Sequence, residues 1–202
     1  WGTVPTTESA IPTNTWSVPY KWFRIQDLAA ISAGRRHVLA LRVDASVVAL
    51  GQNDSGQLGD GTTQGSAVPV NVRGLTDIVA MSAGFAHSLA LDRNGNVWAW
   101  GDNRYGQLGD GTTSTRLAAV KVAGISNVAS ISAGTGISCA ITRDGRLWTW
   151  GGSSSGGIDT VTSSVPAAIG SIAGFQTARC GTDFPVAMRS DGTVWGWGRN
   201  FE

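Results

Sequence analysis

The sequence predicts an all-β protein, a β-propeller built from four blade-like repeats. Three observations predict it: a peptide pattern returns at near-constant spacing, turn residues divide each unit into short strands, and residue usage disfavours helix. Charged residues make up 14%, against about 25% in an average soluble protein, and the 28 glycines are about twice the usual share. Turns must then be frequent and charged helical faces scarce. Nine Trp stand beside two Met and few Lys, although Lys, Glu and Met are the helix formers a bundle would use.

The repeat organises the chain. Met81-Ser-Ala-Gly-Phe-Ala-His-Ser-Leu-Ala-Leu aligns with Ile31-Ser-Ala-Gly-Arg-Arg-His-Val-Leu-Ala-Leu before it and with Ile131-Ser-Ala-Gly-Thr-Gly-Ile-Ser-Cys-Ala-Ile after it. A diverged fourth copy runs from Arg179 to Gly198. The closing glycine recurs at Gly2, Gly51, Gly101, Gly151 and Gly198, at spacings of 49, 50, 50 and 47. Residues 1–202 thus read as a single propeller region with repeats at approximately 2–50, 51–100, 101–150 and 151–198.

Within a unit, β-compatible residues at Ile78 to Ala83 and Ser88 to Leu91 predict the first two strands, and Val97-Trp98-Ala99-Trp100 the third. Asn94-Gly95, Asp144-Gly145 and Asp191-Gly192 predict a two-residue type I′ hairpin between the second and third strands. The first copy has Asp44-Ala45 there, which predicts a different turn. A fourth, outer strand is predicted at Val68-Pro69-Val70-Asn71-Val72 and at Ala119-Val120-Lys121-Val122, since Pro is tolerated on an edge. A β-sandwich would not require such regular return of the same turns.

Composition also excludes functions. Fifteen Lys and Arg against fourteen Asp and Glu leave a net charge of +1, with no basic field to neutralise phosphates, so no nucleic-acid partner is expected. No apolar run reaches the 18 or so residues of a membrane span, so no membrane insertion is expected. The start at Trp1 shows neither initiator Met nor leader, as in a processed chain or a piece of a longer one. Cys139 and Cys180 lack the short spacing of a zinc site, and their repeat positions point inward, which favours two buried thiols over a disulfide and leaves their redox state open.

Several motifs invite chemistry and have plainer readings. Gly152-Ser153-Ser154-Ser155-Gly156 fits a nucleophile-elbow pattern, but no helix follows it. Asp92-Arg93-Asn94-Gly95-Asn96 opens like a calcium loop without the distant Glu that would complete the shell; turn chemistry accounts for it. The Gly-Asp-Gly-Thr-Thr stretches at Gly59 to Thr63 and Gly109 to Thr113 lack the Lys and helix of a phosphate cradle. They predict turns in which Asp60 and Asp110 accept backbone hydrogen bonds. Asn53-Asp54-Ser55 is a chance glycosylation sequon. The pairs Trp98 and Trp100, Trp148 and Trp150, and Trp195 and Trp197 lie two apart, so each pair projects from one sheet face and is expected to pack between blades.

The sequence Trp-Gly-Asp-Asn-Arg-Tyr-Gly-Gln-Leu-Gly-Asp-Gly-Thr-Thr from Trp100 to Thr113, with a second copy from Gly51 to Thr63 and the recurring Ser-Ala-Gly-x-x-His, resembles the regulator of chromosome condensation repeat family. The resemblance implies a propeller, normally of seven blades, where this chain offers four repeats. The chain is therefore expected to be part of a larger propeller, a closed four-blade ring, or one of several chains that complete a ring. It also implies structural roles for His37 and His87, each bonding a neighbouring blade; the equivalents in the later copies are Ile137 and Phe184, so no histidine ring forms. The family includes an exchange factor for a small GTPase and a bacterial inhibitor of β-lactamases, so the resemblance implies docking but not a target.

In an antiparallel blade, the loop between strands one and two opens on the same face as the loop between strands three and four. Residues that break the repeat gather there: Arg35, Arg36, Phe85, Asp183 and Phe184 in one set, Asp54, Arg104, Tyr105, Arg199 and Phe201 in the other. Arg, Tyr and Phe are enriched at interfaces. The expectation is a non-catalytic module that docks a protein partner on this face, with no cofactor and no metal. The alternative is a structural component whose open blades self-associate into a ring or filament; an exchange-factor or inhibitor role ranks lower. No nucleophile, base and orienter can be assembled around two structural histidines. The repeat form and the preference for Arg over Lys resemble bacterial, often secreted members, giving an extracellular or cell-surface expectation.

Overall fold

The computed structural model describes residues 26–152, 163–182 and 184–197. The described residues form strands only, in four antiparallel sheets. The first sheet holds β1 (Leu28–Ala33), β2 (His37–Arg42), β3 (Val47–Gly51) and β4 (Ser66–Asn71), and the second β5 (Ile78–Ala83), β6 (His87–Asp92), β7 (Val97–Gly101) and β8 (Arg116–Lys121). The third holds β9 (Val128–Ala133), β10 (Ile137–Thr142), β11 (Leu147–Gly151) and β12 (Ser163–Ala168), and the fourth β13 (Phe175–Cys180), β14 (Pro185–Arg189) and β15 (Val194–Gly196). Strands pair in chain order within every sheet, which is the meander of a propeller blade. Pro69 and Pro166 both fall in outer strands, where a missing N–H removes no ladder bond.

The sheets stack through their faces. β1 packs on β5, β5 on β9 and β9 on β13, so the first strand of each blade is the inner one. Alternation sorts each strand's side chains between two neighbours. In the second blade, Ala90 and Trp100 are buried with Leu39, Leu41 and Val47 of the first, while Leu89, Leu91 and Val97 are buried with Val128 and Trp150 of the third. All six residues of β6 are buried for this reason. The tryptophan pairs thus face the preceding blade, with Trp98, Trp148 and Trp197 packed at the margins of the clusters. Trp195 departs from the expected packing: it is 39% exposed, stacked on Trp197 at 6.4 Å.

The hairpins correct two expectations. In the second blade Gly95 N–H bonds Asp92 C=O at 3.0 Å, and only Gly95 of the central residues has positive φ. This is a type I turn closed by a left-handed glycine bulge, not a two-residue type I′ turn. The first blade uses the same turn: Ala45 N–H bonds Arg42 C=O at 3.0 Å, and Ala45 itself takes φ 66°. The reason is register. The pairing of Leu41 with Val47 repeats that of Leu91 with Val97, so the connection has the same length whatever residue fills it.

Candidate partner-binding face

The Ser-Ala-Gly motif is a clasp between blades. Ser32 Oγ accepts from Ala83 N–H at 2.9 Å, Ser82 Oγ from Ala133 N–H at 2.9 Å, and Ser132 Oγ from Cys180 N–H at 3.0 Å. The glycine after it brings the backbones together, because a Cβ on Gly84 would lie 2.6 Å from Gly134 O. The next N–H bonds across: Arg35 to Gly84 C=O at 3.2 Å, Phe85 to Gly134 C=O at 3.0 Å, and Thr135 to Gly181 C=O at 3.3 Å.

The histidines extend the clasp. Ser88 Oγ donates to Gln57 C=O at 2.9 Å and so must accept from His37 Nε2, also at 2.9 Å. His87, Ser138 and Gln107 repeat the relay at 2.9 and 2.8 Å. Trp100 and Trp150 Nε1 donate to the same Gln57 and Gln107 carbonyls at 2.9 Å. Burial pushes the His37 imidazole down to about 4 and His87 to about 3, which leaves both neutral at pH 7. Each buried histidine thus bonds a serine of the next blade.

The long loops after β3 and β7 are each organised by one buried asparagine. Asn103 Oδ1 accepts from Leu108 N–H at 2.9 Å while Nδ2 donates to Thr112 and Ser114 C=O at 3.0 and 3.1 Å. Asn53 does the same beneath the first loop and is fully buried, so its sequon is closed to modification in the fold. Asp60 and Asp110 accept from Thr62 and Thr112 N–H at 2.9 Å, the expected turn chemistry. Asp92 is consumed likewise, by the N–H groups of Asn94 and Asn96, by Asn96 Nδ2 and by Trp98 Nε1.

Above this framework the variable residues meet. Gln52 N–H bonds Arg36 C=O at 2.8 Å and Asp102 N–H bonds Ala86 C=O at 2.9 Å, so both loop sets open on one face, as expected. Between the first two blades they form a groove of about 220 Å³, lined by Arg35, Arg36, Asp54, Phe85 and Arg104 together with Gln52, Ser55, Gln57 and Ala86. The Arg35 guanidinium lies 4.3 Å from the Phe85 ring centroid, a cation–π contact across the first blade junction. Arg104 is held by Asp102 at 2.9 Å, and the matching pair in the first blade is Gln52 with Asp54. The groove lining thus carries three guanidiniums and the Asp54 carboxylate, with Asp102 pairing Arg104 from beside it. A broader hollow of about 450 Å³ along residues 121–126 is formed by one backbone segment, without convergent side chains.

Of the other sequence candidates, Tyr105 is half-buried and packs toward Gly136, one junction further along, and Phe184 is 49% exposed on the fourth blade. Asp183, Arg199, Phe201 and the Ser153 to Gly156 part of the nucleophile-like motif lie outside the described residues. Gln52, Ser55, Gln57 and Ala86 were missed as groove residues. Gln57 had a signal, its place in the recurring Gly-Gln-Leu-Gly; the others become visible only when neighbouring loops converge.

Comparison with known proteins fits this geometry. A profile described as "Regulator of chromosome condensation (RCC1) repeat" matches residues 44–91 and 94–141, and a second with the same description matches 78–107 and 128–156. Together they span more than half of the chain. The chain belongs to the regulator of chromosome condensation repeat family. Among solved structures it is similar to human WBSCR16, with TM-score 0.74, 26% identity, and coverage of 85% of this chain and 47% of that one. It is also similar to yeast RCC1 (Prp20), solved bound to Kap60, with TM-score 0.74, 24% identity, and coverage of 91% and 46%. A further Saccharomyces cerevisiae Prp20p structure, whose description cites binding to Gsp1p and histones, matches at TM-score 0.73 and 23% identity, covering 91% and 47%. The chain spans about half the length of these structures. No curated protein sequence matches it. The repeat family accounts for the clasp, the relay and the long-loop asparagine, which recur in register. It does not account for the groove, whose residues differ between copies.

Proposed function

We propose that this chain is a non-catalytic protein-binding module that docks a macromolecular partner on its loop face, with the groove between the first two blades at the centre. The observation that supports this reading most is convergence. Arg35, Arg36, Asp54, Phe85 and Arg104 come from four loops, are not required by the repeat, and line one groove on a rigid scaffold. The reading places the module at the cell surface or outside the cell, on the strength of its repeat form. Selection from a displayed protein-fragment library on the immobilised chain tests it. Fragments enriched by the wild type should be lost with Phe85→Ala and Arg36→Glu while the thermal midpoint stays within about 1 °C; retention of every fragment by both variants overturns the reading.

A second reading, assembly through the blade ends, rests on apolar side chains exposed among the described residues. Ile31 on the first blade is 73% exposed, and Val186, Met188, Val194 and Trp195 on the fourth are 37%, 38%, 68% and 39% exposed. Light scattering separates the two. Assembly predicts a discrete multiple of the chain mass that Ile31→Lys reduces and Phe85→Ala leaves intact.

A further inference from the structure

We propose that Cys139 and Cys180 form a disulfide that bonds the third blade to the fourth. Cys139 lies in β10 and Cys180 in β13, and their Sγ atoms stand 2.7 Å apart as free thiols, about 0.7 Å beyond the length of a disulfide bond. The same two positions at the preceding junctions are Leu39 with Ala83 and Leu89 with Ala133, ordinary core contacts. The chain has only two cysteines, and they replace both partners of one recurring contact.

The junction that carries them has lost another cross-blade tie. Ile137 stands where His37 and His87 begin the relay, and Pro185 stands where Ser88 and Ser138 receive it. The backbone clasp at Thr135 and Cys180 remains, together with a small core around Phe175 and Ala178. A covalent bond at Cys139 and Cys180 supplies at this junction the side-chain tie that the relay supplies at the other two.

The oxidant is a small-molecule disulfide such as oxidised glutathione. Cys139 is fully buried and Cys180 partly exposed, so exchange starts at Cys180. Its thiolate attacks one glutathione sulfur, forming a mixed disulfide and expelling one glutathione thiolate. The Cys139 thiolate then attacks the Cys180 sulfur and expels the second. The two thiol protons end on the two released thiolates, and the two electrons given up by the protein reduce one glutathione disulfide to two thiols. Burial pushes the Cys180 thiol up, so exchange in the folded chain is slow at neutral pH and quickens as pH rises.

The test equilibrates the full chain in graded glutathione redox buffers, once in guanidinium and once after refolding from it, so that both thiols start accessible. After acid quench and alkylation, mass spectrometry reads the disulfide as the species lighter by two hydrogens, and a non-reducing digest reads the linked peptide. We expect the folded chain to hold the disulfide at glutathione ratios about 30- to 1,000-fold more reducing than the unfolded chain does. Equal ratios, or a folded product in which Cys180 carries glutathione while Cys139 stays a free thiol, overturn the proposal. Cys139→Ser, which can form only the Cys180 adduct, calibrates that second outcome.

Discussion

Single residues carry two departures from the repeat that have energetic consequences. Ala45 occupies a left-handed position that glycine fills in the other hairpins, and an L-residue there costs about 1–2 kcal/mol. Ala45→Gly removes the strain and gives back part of it as unfolded-chain entropy, so we expect stabilisation of about 0.5–1 kcal/mol, seen in calorimetry as a midpoint raised by about 1–4 °C. An unchanged or lowered midpoint would show the turn to be unstrained. His37 and His87 set a pH response. Burial holds both below their ordinary 6.5, so between that value and about 4 the unfolded chain binds protons that the folded chain refuses. Their stabilising contribution is complete above pH 6.5 and is lost as pH falls through that window, at up to about 1.4 kcal/mol per unit for each group. Urea titrations at pH 7 and pH 5 should show the loss in the wild type and a smaller one in a His37→Gln, His87→Gln double variant. Among the described residues, Trp148 Nε1 is buried without a partner, and Thr142 stands where Asp92 receives Trp98.

At the scale of elements, the long loops behave as structural parts of the neighbouring blade. Leu58 is buried beside Trp100, and Leu108 beside Trp150, while the adjoining Gln carbonyls receive the indole N–H groups. One buried asparagine holds each loop in that shape. Asn103→Ala would leave Leu108 N–H and two carbonyls without their partners, so we expect a loss of about 2–4 kcal/mol, read from tryptophan fluorescence in urea. A loss below about 1 kcal/mol would mean that water replaces the amide. Much of this element scale was legible beforehand: the strands, the outer position of Pro69 and the Asp60 turn all follow from local residue chemistry. The hairpin type was not, because Asn-Gly is compatible with both a two-residue turn and a bulged one, and the choice depends on how the flanking strands register.

For the whole molecule, stacking makes stability uneven along the chain. A blade packed on both sides buries both of its faces, as β6 does completely, whereas all three residues of β15 are exposed and Ile31 is exposed on β1. Hydrogen exchange by mass spectrometry should find the slowest amides in β6, β7 and β10 and fast exchange in β15; equal protection of β15 and β6 would contradict nearest-neighbour stacking. By itself the sequence determined what recurs: the strand pattern, the inter-blade glycines, the structural place of the histidines and the face on which variable loops open. Tertiary structure alone decided which variable residues meet, since a groove or a cysteine pair joins positions on different blades. His37 reaches Ser88 across 51 residues, and Cys180 reaches Cys139 across 41. The physical reason is that a repeat dictates local geometry through backbone conformation and burial, which each copy can satisfy alone. A site between blades depends on the chance chemistry of two copies, and becomes visible only when stacking brings their loops to one place.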